Sequence, residues 1–194
     1  MKFRLLSDLH LDFYKNDIWK PKVLPDDKDT TLLLAGDIHV GRKAEAWIDE
    51  MCARFHKVIY ILGNHEYYGH EYYAVQSFWR DKDQSDNFVF LENDHTYVPG
   101  NIAIFGATMW TNVGPMNPWM AKRMNDYRII KINNFGYIKT LTTEHTNRIH
   151  NATLDRMREF LKMPFDGKKI VMTHHLPHVA CVHPRFAGSD MNCF

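Results

Sequence analysis

Apolar residues along the chain fall into short runs that stop abruptly at polar clusters, and longer stretches of helical spacing lie between the runs. That alternation predicts an α/β layer fold, a β-sheet core flanked by helices. Lys2 to Ser7 is the first strand candidate. Thr31 to Ala35 is an apolar run of the kind expected of a strand covered on both faces, and Lys57 to Leu62 is a third run, rich in β-forming residues. From Arg42 to His56, the positions Ala44, Trp47, Ile48, Met51 and Phe55 recur on one helical face. A second helix is expected over Glu71 to Arg80. A third runs from about Thr143 to Met163, with Ile149, Thr153, Met157, Phe160 and Leu161 on one side and Pro164 ending it. Phe88 to Leu91, Thr96 to Val98, Ile102 to Thr108 and Lys169 to Thr173 complete the strands, with Pro99-Gly100 as the tight turn before Ile102. Met109 to Tyr137 reads as irregular. No repeat or linker divides residues 1–194, which are read as one domain.

Four of the strands end in residue types that bind metal ions: Asp8-Leu9-His10, Gly36-Asp37-Ile38-His39, Gly63-Asn64-His65-Glu66 and Thr173-His174-His175. In open α/β sheets the functional crevice lies beyond the carboxyl ends of the strands, so clusters distant in sequence are expected to converge there. Carboxylate and imidazole ligands suit iron, manganese or zinc. Two carboxylates facing two dications leave net positive charge, which attracts a phosphate and makes bound water more acidic.

Composition narrows the partners. With 24 basic and 23 acidic residues there is no global field of the kind that coats duplex nucleic acid. Cys52, Cys181 and Cys193 match neither a zinc ribbon nor a redox pair, and a reducing, cytoplasmic compartment is expected. No apolar run approaches the ~20 residues needed to cross a bilayer, so no membrane partner is expected. Trp110, Trp119 and Tyr127 are candidates for a wall that stacks a nucleotide base, the alternative being a loop pinned by its own aromatics.

Taken in order and spacing, the four clusters resemble the calcineurin-like metallophosphoesterase superfamily, whose signature is Asp-x-His, Gly-Asp, Gly-Asn-His-Glu or Asp, a later His and a closing Gly-His-x-His. The match spreads over residues 7 to 175. Phe105-Gly106-Ala107-Thr108, Met124-Asn125-Asp126-Tyr127-Arg128 and Val182-His183-Pro184-Arg185-Phe186 resemble segments of its bacterial and phage members. The resemblance implies a metallophosphoesterase-like sandwich and two divalent or trivalent ions. Asp8 and His10 would bind the first, Asp37 would bridge both, and Asn64 and His174 would bind the second. His65 would be catalytic, contacting the phosphoryl group and protonating or stabilising the leaving oxygen. The implied reaction is hydrolysis of a phosphomonoester or phosphodiester by in-line attack of a metal-bound hydroxide, on a small phosphorylated compound or a nucleotide.

Two departures qualify the match. The closing Gly-His-x-His does not occur in these 194 residues, so the domain is expected to be incomplete at its C-terminus, unless His175, His178 or His183 serves instead. Leu62 precedes Gly63 where protein serine/threonine phosphatases of the superfamily carry a phosphate-gripping Arg, which argues against that activity; Arg128 is a second candidate for the grip. Two other functions stay open at this point: a non-catalytic remnant that binds metal or a partner, and a nuclease acting on single strands.

Overall fold

The computed structural model describes residues 1–15, 18–82, 87–114, 121–134 and 136–189. Strands β1 (Lys2–Leu6), β2 (Thr30–Ala35), β3 (Lys57–Ile61) and β4 (Phe88–Phe90) form one parallel sheet in that order. Helix α1 (Glu45–Arg54) connects β2 to β3, and α2 (Tyr72–Lys82) lies between β3 and β4. Strands β5 (Asp94–Val98) and β6 (Ile102–Ala107) make an antiparallel hairpin. Gly100 (φ 89°) and Asn101 (φ 56°) supply its left-handed turn. After a short helix α3 (Asp126–Ile129) come the hairpin strands β7 (Lys131–Asn134) and β8 (Tyr137–Thr140), then helix α4 (Thr143–Lys162). Strand β9 (Lys168–Thr173) returns beside β6, parallel to it, and completes a second sheet in the order β5-β6-β9.

Side chains alternate across each pleated strand, and this sorts the apolar residues into layers. Leu32, Leu34, Val58 and Tyr60 pack against Trp47, Ile48 and Met51 of α1 and Val75 and Trp79 of α2. Their neighbours Leu33, Ala35, Ile59 and Ile61 point the other way and meet Val98, Ile104 and Met172 of the second sheet. The far face of that sheet, Ala103, Phe105 and Ala107, is covered by Phe160 of α4. The architecture is therefore helices, sheet, sheet, helix, as the resemblance implied.

Element boundaries fall within two or three residues of those expected. Two differences are informative. On α4 the buried residues are Thr146, Thr153 and Phe160, whereas Leu161, expected on the inner face, is 51% exposed. Within the stretch read as irregular, α3 and β7 are ordered, and β7 pairs with β8, which begins at its end. Trp119 lies outside the described residues. Among the described residues, no helix is long and apolar enough to cross a membrane.

Candidate metal centre

Parallel pairing in register opens the carboxyl ends of β1, β2 and β3 on one edge, with Leu6 opposite Leu34 and Ala35 opposite Ile61. The second sheet delivers His174 to the same place, where its Nδ1 contacts the Ala35 carbonyl oxygen at 2.9 Å. Pairing continues past the strand ends: Asp8 N donates to Gly36 O (3.1 Å), His10 N to Asp37 O (3.0 Å) and Leu11 N to Ile38 O (2.9 Å). Asp8, His10 and Asp37 all sit at positive φ, 56°, 45° and 53°. Left-handed backbone costs a non-glycine residue about 1 to 2 kcal/mol, so neighbouring structure must hold it there.

Glu66 is a large part of that support. It is fully buried, and its carboxylate accepts hydrogen bonds from the backbone N–H of Asp37 (3.0 Å), Ile38 (2.6 Å) and Gly63 (2.7 Å) and from the Tyr60 hydroxyl (2.9 Å). It thereby staples the loop after β2 to the loop after β3. Burial pushes its carboxyl above the usual range, Asp37's charge adds to this, and the backbone donors oppose it. Sequence reasoning registered Glu66 as one letter of a motif and assigned it no task.

The two oxygens of Asp37 face different imidazoles. Oδ2 lies 3.6 Å from His10 Nε2, and Oδ1 lies 3.5 Å from His174 Nε2. Asp8, His10 and Asp37 offer ligand atoms all within 4.8 Å of one another, and Asn64 Oδ1 lies 3.2 Å from His174 Nε2. If His174 donates its Nδ1 proton to Ala35 O, its Nε2 is left as a lone pair aimed into the cup. These donors suit two cations: Asp8 and His10 on one side, Asn64 and His174 on the other, with one carboxylate between. The structure thus brings together all five residues expected as ligands.

His65 stands beside this cup. Its backbone N–H donates to Asp37 Oδ1 (2.8 Å), its ring is 4.7 Å from that of His10, and its Nε2 lies 3.1 Å from Asp12 Oδ2. Asp12 escaped the sequence reading; Phe13 was also unassigned. Burial raises the Asp12 carboxyl, yet the hydrogen bond and charge of His65 outweigh this and hold it below the ordinary value. His10, Asp12 and His65 form a second group close enough to share an ion. Phe13, 71% exposed, sets its ring 5.9 Å from that of His65 at the mouth. His39 spends Nδ1 as acceptor for Val40 N, and burial lowers its pKa.

Three other expectations are corrected or narrowed. Trp110 is 2% exposed and packs on Tyr67, Tyr72 and His175, so it is core rather than a stacking wall. Tyr127 is half-buried, with its hydroxyl on Thr146. His175 packs on Trp110, and burial pushes its pKa down to about 3, while His178 and His183 are turned into caps by accepting from Ala180 N and Arg185 N. Arg128 is exposed on α3.

The calcineurin-like phosphoesterase family matches residues 1–192. The chain belongs to that family. Its members hydrolyse phosphoester bonds with metal ions, which is the chemistry the donor set above is suited to. An uncharacterized protein of Acanthamoeba polyphaga mimivirus is 28% identical over 190 residues, which cover 90% of this chain and 67% of that protein. The crystal structure of a phosphopantetheinyl hydrolase from Mycobacterium tuberculosis is similar with a TM-score of 0.67, at 18% identity, over 90% of this chain and 68% of the other. At that identity the likeness is one of fold.

Proposed function

We propose that this phosphoesterase hydrolyses a phosphomonoester or phosphodiester of a small phosphorylated compound or nucleotide, at a dinuclear centre held by Asp8, His10, Asp37, Asn64 and His174. The observation that carries the reading is the division of Asp37 between two imidazoles, the arrangement that a carboxylate bridging two cations requires. Manganese, iron or zinc suits the donors. Such ions would supply positive charge for the phosphoryl oxygens and lower the pKa of water.

The protein's own groups do the rest. Asp37 and Glu66 fix the spacing of the two ligand sets, and Asn64, being neutral, preserves positive charge in the site. His65, held by Asp12, contacts the phosphoryl group and protonates or stabilises the leaving oxygen. The test is hydrolysis of a chromogenic phosphodiester with added manganese, measured alongside metal content. Asp37→Asn should lose both ions and activity. His65→Ala should keep its metal while the rate falls about 10²- to 10⁴-fold. Equal metal loss in both variants refutes the separate roles, and no metal-dependent hydrolysis by folded protein points to a non-catalytic metal-binding or partner-binding role. A preference for oligonucleotide over mononucleotide substrates would favour a single-strand nuclease.

A further inference from the structure

The segment Met124-Asn125-Asp126-Tyr127-Arg128 has no part in the reading above, yet it reaches the centre. Asp126 is 4% exposed on α3, and its Oδ1 lies 2.8 Å from Asn64 Nδ2. The same Nδ2 donates to the Tyr68 hydroxyl at 3.1 Å. Tyr68 and Asp126 are themselves hydrogen-bonded, the hydroxyl donating to the carboxylate. A primary amide has two N–H donors and one carbonyl oxygen. Both donors of Asn64 are thus committed away from the cup, and Oδ1 is left beside His174 Nε2. The flipped amide would set its carbonyl oxygen against a buried carboxylate and present N–H groups to a cation. Main-chain bonds fasten α3 to the segment that follows Asn64: Gly69 N donates to Ile129 O (3.3 Å) and Lys131 N to His70 O (2.9 Å).

We infer that Asp126 is a positioning residue of the metal centre, which orients Asn64 so that its amide offers oxygen, not nitrogen, to the second cation. The inference rests on the reading of Asn64 as a ligand. Loss of an outer partner of this kind weakens metal binding about ten- to a hundredfold.

The test uses the full chain with Asp126→Leu and Asp126→Asn and has two readouts. In metal-free protein, the Asn64 side-chain amide protons, followed by nuclear magnetic resonance, should exchange slowly in the wild type and in Asp126→Asn, which keeps an acceptor oxygen, and quickly in Asp126→Leu. In manganese titrations, Asp126→Leu should bind its second ion about ten- to a hundredfold more weakly with the first unchanged, whereas Asp126→Asn should bind both as the wild type does. If Asp126→Leu does not fold, Asp126→Ser takes its place. Fast exchange in the wild type, unchanged second-ion binding in Asp126→Leu, or no rescue by Asp126→Asn overturns the inference. The expected exchange pattern without a second ion in any protein, wild type included, removes the dinuclear reading and leaves the orienting role intact.

Discussion

Glu66 holds two ligand loops in place although it is not itself among the expected ligands. Glu66→Gln replaces one acceptor oxygen by an N–H donor facing buried backbone donors, and each orphaned group costs about 1 to 3 kcal/mol. Urea unfolding of the variant should show a loss of that size or more, together with weaker manganese binding. Gly36 is just as constrained: its φ is 87°, and an added Cβ would meet Gly63 N at 2.5 Å and His174 Nδ1 at 2.6 Å. Gly36→Ala should therefore displace His174 and reduce metal content. At this scale the sequence marked the candidate ligands, because Asp, His and Asn stand abruptly at strand ends. Glu66 was visible only as a motif letter. Asp12 and Asp126 were not marked as functional: Asp12 belongs to none of the motifs, Asp126 is only one letter of the 124–128 segment, and the fold alone sets one against His65 and the other against Asn64.

Among the elements, α4 was the most legible because twenty residues give several turns of helical spacing. Its start depends on a capping box in which Thr142 Oγ1 accepts from His145 N and His145 Nδ1 accepts from Thr142 N. Thr142→Ala should lower stability by about 1 kcal/mol, measured as a shift in urea midpoint at unchanged slope. The β7–β8 hairpin escaped for the opposite reason. Tyr137 and Ile138 are both exposed, so β8 shows no alternation of buried and open positions, and α3 is a single turn with no period to detect. Leu161 was placed by helical spacing on the same side as Met157 and Phe160, yet those two meet the second sheet while Leu161 is 51% exposed.

For the whole molecule, the packing of two sheets encloses Glu92, whose carboxylate accepts from Thr108 N and Oγ1. Burial raises its pKa to about 7 from the 4.5 of a free side chain, against the pull of those bonds. Between these values the folded state holds a proton that the unfolded chain releases, so stability falls as pH rises through the window and levels off above it. The total is on the order of 3 kcal/mol. Urea unfolding across that window should show the decline, and Glu92→Gln should abolish it; an unchanged slope in the variant assigns the effect to another group.

The sequence by itself determined the layered α/β class and most strand and helix positions, and it marked Asp8, His10, Asp37, Asn64 and His174 as candidate ligands with His65 beside them. Spacing, propensity and ligand type are local properties written residue by residue. Tertiary structure alone decided that the oxygens of Asp37 divide between His10 and His174, that Glu66 joins two loops, that Trp110 belongs to the core, and which way the Asn64 amide faces. Those outcomes depend on sheet register and on contacts between residues far apart in the chain, where a shift of one position would turn each side chain to the opposite face.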